Sequence, residues 1–325
     1  MKESGWTDFV FHNEIGFYQR FGKYYSDFPK CVFIDPEPIT RAAIVLENVT
    51  QFGYKAIERK EDVGMKRALA AVRQIGKFHA QGYVLKDKDP EEFLAIVEGL
   101  RENKFDDLAH PALIKYINTV SVRPLNYLRS VNYDPEFCDK ISSFLSNAHG
   151  KILKDCIQPR NELAVLCHGD FTANNILLKE DDDGKFEAML IDFAQLRHSS
   201  PATDVSTFLY LSCEEEIRKN FFVIFRAYHQ AVLEYLKEHS IQDLDRYSFD
   251  AFLEDYKRHG IIGWAIAIFF MPNAHLDYQP RFDDVMNNSP NYIEDLMVSG
   301  GDELSKKLAD MLLELKDNGC LDHMV

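Results

Sequence analysis

The chain has 325 residues, 46% hydrophobic and 13% aromatic, enough apolar material for one sizeable packed domain or two small ones, and not the composition of a disordered chain. Its 37 basic and 52 acidic residues leave a net charge of -15, which repels phosphate backbones and anionic lipid, so neither nucleic acid nor a membrane surface is expected as a partner. The six cysteines (Cys31, Cys138, Cys156, Cys167, Cys213, Cys320) are scattered without a C-x-x-C pair, which argues against a zinc site or a disulfide framework and suits a reducing cytoplasm.

The opening "MKESGWTDFVFHNEIGFYQ" has no apolar core of the signal-peptide kind. Within residues 7 to 28, Phe11, Ile15, Tyr18 and Tyr25 form a helical stripe behind a cap at Thr7 or Asp8, with Glu14 beside it. Two β-rich runs follow, Cys31 to Ile34 and Ala42 to Leu46, separated by a Pro-Glu-Pro turn as two antiparallel strands would be.

From Asp62 the apolar spacing becomes helical through Met65, Ala68, Leu69, Val72, Ile75 and Gly76 to His79, with Gly82 positioned to end the helix. His79, on an apolar face, reads as a packed structural histidine. Residues up to Arg160 remain helical in pattern, with breaks expected at Pro111, Pro124 and Pro135.

Residues 163 to 193 switch to strands: "LAVLCH", "ILLK" and "FEAMLIDF", the last two joined by the acidic turn "EDDDG". From Pro201 the pattern is helical again and closes with Leu304, Leu308, Met311, Leu312 and Leu315 on one face. The most apolar stretch, "IIGWAIAIFFM" at 261 to 271, is shorter than the ~20 residues a membrane span needs and reads as a buried helix around Trp264.

Between the first two of these strands lies the polar segment "LCHGDFTANNILL", whose Asp170 and Asn175 are five residues apart, and the following hairpin returns to Asp192. Three oxygen-bearing side chains on one rim suit phosphoryl transfer, which asks a protein mainly for positioning and charge neutralisation. Asn175 and Asp192 offer the hard oxygen ligands that magnesium prefers. Asp170 would accept or orient the proton of an attacking hydroxyl, and His168 would brace the loop. An acyl hydrolase is disfavoured, because the chain has no G-x-S-x-G stretch.

"HGDFTANN" followed by "LIDF" resembles the catalytic and metal-binding segments of the aminoglycoside and choline kinase-like branch of the protein kinase-like fold. Four segments, "CHGDFTANNILLK", "LIDFAQLRHSSPATDVSTFLY", "AIVLENVTQFGYK" and "FHNEIGFYQRF", narrow the resemblance to the ecdysteroid kinase-like (CHK kinase-like) family. It implies an α+β, protein kinase-like two-lobed fold with a partial N-terminal lobe over residues 1–50 and a mostly helical C-terminal catalytic lobe over residues 51–325. It also implies ATP and Mg2+ as cofactors, a small hydroxylated substrate such as a steroid or another lipophilic alcohol, and a monomeric cytoplasmic protein.

Carried over residue by residue, the resemblance makes Asp170 the catalytic Asp and Asn175 and Asp192 the metal ligands. Leu46, Glu47 and Val49 match the adenine-contacting hinge, and Glu14 matches the helical Glu that pairs with a phosphate-binding lysine. Asp204 matches an Asp that holds the catalytic loop through hydrogen bonds, alongside His168. Kinases of this fold carry a Gly-rich turn and a lysine-bearing strand before the helical Glu, an insertion of roughly 40 residues. Only 13 residues precede Glu14 here, and Lys2 is the one lysine or arginine among them. As it stands, the chain is therefore expected to be a weak or inactive catalyst, and the competing expectation is an inactive pseudokinase or truncated isoform acting as a binding module.

Overall fold

A computed structural model describes residues 5–22, 27–37, 42–57, 63–101, 105, 111–280 and 290–324, with the backbone alone for 5–10 and 290. Two compact units emerge, Met1–Glu102 with Pro159–Leu253, and Asn103–Gln158 with Glu254–Val325.

In the first unit, helix α1 (Gly5–Gly16) passes into a π-helical turn, Phe17–Phe21. The expected stripe over 7 to 28 therefore begins earlier and changes pitch at Phe17, which turns Phe17 and Phe21 inward as buried residues. Strands β1 (Cys31–Asp35) and β2 (Ala43–Leu46) pair antiparallel, Phe33 opposite Val45 and Asp35 opposite Ala43, with a register slip between Cys31 and Phe33. Part of the turn joining them, residues 38–41, lies outside the described residues.

Helix α2 (Gly64–Lys88) does not stop at Gly82 as the sequence suggested. A Cβ at position 82 would come within 2.5 Å of Val165 Cγ2, so this glycine allows a strand to approach the helix closely instead of ending it. The helix ends where Asp89 leaves the helical region, and Asp89 Oδ1 then accepts the N–H of Glu92 to cap α3 (Pro90–Glu98).

Strand β3 (Lys55–Ala56) pairs with β5 (Ile176–Glu180), which pairs with β6 (Phe186–Leu190), all antiparallel. The acidic run is the tip of that hairpin, where Asp181 Oδ1 accepts the N–H groups of Asp183 and Lys185. The expected "LAVLCH" strand is shorter, β4 (Val165–Cys167), and pairs with β7 (Arg197–Ser199), a strand too short to show any alternation in sequence. Behind these strands the helix Phe221–Glu238 packs along α2, and Gly76 lets the Tyr228 carbonyl approach α2 closely.

In the second unit the prolines begin helices more than they break them. Pro111, Pro124 and Pro135 stand in the first turns of the helices Pro111–Val120, Arg123–Ser130 and Pro135–Leu145, where an N–H has no intrahelical partner to lose. Asp134 caps the last of these through the N–H groups of Glu136 and Phe137. The helix Ile261–Ala274 buries Trp264 completely, with its indole N–H donating to the Leu308 carbonyl at 2.9 Å. The facing helix Gly301–Asp317 buries Leu304, Leu308, Met311, Leu312 and Leu315. Arg123 is buried, and its guanidinium donates to the carbonyls of Leu296, Ser299 and Gly301 at 2.7, 2.6 and 2.9 Å, closing the chain reversal before that helix. Among the described residues no helix is long and apolar enough to cross a membrane.

Candidate active site

Strand β4 is buried throughout and delivers the chain to His168, itself fully buried. The backbone there turns sharply. Gly169 has φ +80, and a Cβ would overlap the Gln195 carbonyl, so no other residue fits. The two N–H groups that this turn leaves without strand partners, on His168 and Gly169, donate to Asp204 Oδ2 and Oδ1 at 2.6 and 2.8 Å. Asp170 follows, half-buried at the mouth of the turn.

Asp204 sits in the helix Ala202–Ser212 and is 1% exposed. Burial alone would raise its carboxyl pKa. The hydrogen bond and charge of His79, the nearby His168 and the Gly169 N–H outweigh that and hold it below the usual carboxylate range. His79 Nε2 lies 3.0 Å from Asp204 Oδ2, and its Nδ1 lies 2.9 Å from the Tyr228 hydroxyl. The packed histidine expected on α2 thus has a definite task, which is to fix the anion that fixes the loop.

The Cys167 thiol lies beside this pair, and donor atoms of His79, Cys167 and Asp204 fall within 4.8 Å of one another. Each already has hydrogen-bond partners, Cys167 donating to the carbonyls of Ser199 and Ser200 at 3.3 and 3.4 Å. Burial and the Asp204 charge push the thiol pKa well above its ordinary value. With these hydrogen bonds the trio acts as a brace for the loop.

His168 carries the brace across to the hairpin. Its Nδ1 accepts the Asp170 N–H at 3.3 Å, which puts the ring proton on Nε2, 3.0 Å from the Ile191 carbonyl. Asn175 donates from Nδ2 to the backbone carbonyl of Asp170 at 2.9 Å and to its Oδ2 at 3.1 Å. Its amide oxygen has no hydrogen bond among the described residues.

The β5–β6 ladder sets Ile176 opposite Leu190 and continues with the Ile191 N–H donating to the Asn175 carbonyl at 3.1 Å. That bond places Asp192 one residue beyond Asn175 on the neighbouring strand. Asp192 adopts φ +65, a conformation Asp tolerates better than most residues, and leaves its carboxylate exposed, with Oδ1 accepting the Ala194 N–H at 3.3 Å.

What holds that turn is aromatic. Phe193 is fully buried and stacks on Phe17 with centroids 3.7 Å apart and planes 12° apart, with Phe28 at 5.0 Å, His168 at 5.0 Å and Phe78 at 5.7 Å. The π-helical turn after α1 is what brings Phe17 into this stack.

Glu14 stands on α1 beside the same turn and accepts the Phe193 N–H. Burial, and then the charge of Asp192, raise its pKa to about 7. Among the described residues no lysine or arginine neutralises the two carboxylates. The Tyr18 hydroxyl is buried near Glu14 and Asp192 without a hydrogen-bond partner, and burial raises its pKa.

The structure thus gathers His168, Asp170, Asn175, Asp192, Asp204 and Glu14. Leu46 ends β2, and Glu47 and Val49 follow it on the connection, where the Glu47 N–H donates to the Lys30 carbonyl at 2.8 Å and Val49 is buried. No hydrogen bond among the described residues joins these three to the Asp170 cluster. Lys2 lies outside the described residues.

Sequence reasoning missed one part of the site altogether. Asn13 is buried and donates to the Arg101 carbonyl at 2.9 Å and to those of Ala194 and Leu196 at 3.4 and 3.5 Å, clamping the segment after Asp192. Asn13 falls on the opposite side of the helix from the Phe11, Ile15 and Tyr18 stripe, so the 3.6-residue spacing gave no signal for it.

No curated protein sequence matches the chain at a significant level. The ecdysteroid kinase-like family matches it over residues 8–241, a span that takes in Glu14, the loop at Asp170, the hairpin to Asp192 and Asp204. The chain belongs to this kinase-like family, whose general activity is the phosphorylation of small molecules.

Proposed function

We propose that the chain is an ATP- and Mg2+-dependent phosphotransferase acting on a hydroxyl group of a steroid-like or other lipophilic alcohol. One observation carries the reading: Asn175 Nδ2 clasps both the backbone and the carboxylate of Asp170, while the Ile191 to Asn175 backbone bond sets Asp192 alongside.

The donor set fits a hard cation. Spending Nδ2 on Asp170 leaves the Asn175 amide oxygen, and the exposed Asp192 carboxylate adds a second oxygen ligand, the one or two protein donors that magnesium takes beside phosphate oxygens and water. Bound Mg2+ and ATP would supply the phosphoryl group and neutralise its charge. Asp170 orients the acceptor hydroxyl and takes its proton, and the clasp from Asn175 keeps Oδ2 from swinging away. His168 and Asp204 hold the loop in place. The carbonyl of Glu47 and the N–H of Val49, beside Leu46, contact adenine. The reading includes a monomeric cytoplasmic protein with a lobe boundary near residue 50.

A second reading, a non-catalytic binding module, is favoured by Glu14. Among the described residues its carboxylate faces Asp192 without a cation, and none of their lysines neutralises it.

Thermal melts with ATP, with Mg2+ and with both separate the two, combined with mass spectrometry of a hydroxylated steroid incubated with MgATP. The enzyme reading expects the melting temperature to rise most with both ligands, a phosphate ester to form, and Asp192→Asn to abolish both effects. Nucleotide binding without a product in the parent chain selects the binding module. No thermal shift with either ligand overturns nucleotide binding altogether.

A further inference from the structure

Away from the Asp170 loop, α2 and the outer strand β6 enclose a groove of about 410 Å³, a size that holds a small organic molecule. It runs along β6 from Phe186 to Met189, upstream of the turn at Asp192.

Its polar groups are unevenly used. Two carboxylates reach the groove, and both are engaged: Asp27 accepts from Gln81 Nε2 at 3.3 Å, and Glu187 accepts from the Tyr54 hydroxyl at 3.3 Å with Lys179 Nζ at 3.9 Å. The donors are not. Arg73 and Lys77, one helical turn apart on α2, are exposed at the mouth, and neither has an ion pair or hydrogen bond among the described residues. Between them Gln74 is 93% buried, since only 7% of it is exposed, and its side-chain Nε2 has no hydrogen-bond partner.

A buried amide donor without a partner costs roughly 1–3 kcal/mol, and folds rarely keep one unless something else satisfies it. Here Gln74, with its one unmet donor, and the two cations line one cavity, whose remaining walls include the rings of Tyr54 and Phe186.

We propose that this groove binds a small organic anion, a carboxylate or phosphate ester on a flat apolar body. Its charged group lies between Arg73 and Lys77, one of its oxygens accepts from Gln74 Nε2, and its body packs between Tyr54 and Phe186. The site is separate from the phosphotransfer reading and does not depend on it.

Phenyl phosphate and benzoate are the probes, with phenol as the uncharged control, titrated against the full chain by ligand-observed NMR and by thermal shift. At least one anion is expected to bind and phenol is not, and the comparison between the two anions identifies which head group fits. Lys77→Gln should weaken binding about tenfold, the loss of one charge-assisted contact.

Gln74→Met supplies a readout that a structural role would not move in the same direction. Binding should weaken, while the unliganded protein melts at the same or a higher temperature because an unsatisfied donor has been removed. The proposal is overturned if neither anion binds at about 10 mM, the weak limit for a specific small-molecule site. It is also overturned if phenol binds as well as the anions, if Lys77→Gln leaves affinity unchanged, or if Gln74→Met lowers the melting temperature.

Discussion

Replacing Glu14 with Gln isolates the electrostatic cost of the two facing carboxylates. Gln keeps the acceptor that receives the Phe193 N–H and removes the charge. In the folded chain the Glu14 carboxyl has its pKa raised from 4.5 to about 7. A raised acid contributes stability that is complete below the unfolded value and is lost as the pH climbs through the folded one. The parent should therefore lose stability between about pH 4.5 and pH 7. At about 1.4 kcal/mol per pKa unit this comes to about 3.5 kcal/mol, and partial solvent access reduces it to about 2.

The variant lacks this titration. Urea unfolding of both proteins, followed by tryptophan fluorescence and circular dichroism between pH 4 and pH 8.5, gives the difference directly. The two curves should coincide near pH 4 and separate until Glu14→Gln is the more stable protein by about 2 kcal/mol at pH 8. A difference independent of pH, or a variant less stable than the parent at pH 8, would refute the reasoning. The first outcome would mean that Glu14 titrates normally, the second that a cation neutralises it.

Two further substitutions test the parts of the fold that aim the site. Gly82→Ala should destabilise by about 1–2 kcal/mol in thermal melts, because overpacking against Val165 outweighs the ~1 kcal/mol that alanine gains in a helix, and a stabilised variant would show that the close approach is absent. Asp204→Asn turns an amide toward an N–H that needs an acceptor and should cost about 3 kcal/mol by urea unfolding at pH 7. Because the pKa of this carboxyl is depressed, its contribution is present above the unfolded value near 4 and fades below it, so the gap between parent and variant should narrow in acid. An equal gap at pH 7 and pH 3 would count against an ionised anchor.

Much of the fold was legible because it is written in short-range spacing. The 3.6-residue rhythm of α2 and of Gly301–Asp317 requires one apolar face each, and the runs on either side of the Pro-Glu-Pro turn pair as local neighbours must. The polar segment from His168 to Asn175, framed by buried strands, pointed to a candidate site with Asp192 nearby, since a hairpin returns the chain to its starting point.

Gly82 was misread because spacing cannot tell a helix stop from a helix kept bare for a neighbour, and the neighbour is Val165. Strand β7 left no pattern because three residues show no period.

The rest of the site depended on partners that local pattern does not encode. His79 finds Asp204 across 125 residues, and Asn13 finds the Ala194 carbonyl across 181. In sequence His79 is one apolar-face histidine, and Glu14 is one acidic residue on a helix. Their burial, the charges they face and the absence of a cation beside Glu14 among the described residues are set only when α1, α2 and the Asp192 turn pack together. The sequence alone brought forward the carboxylate and amide side chains of the candidate site. Tertiary packing decided what charge state and orientation each one holds, because desolvation and hydrogen bonding act between groups that only the fold makes neighbours.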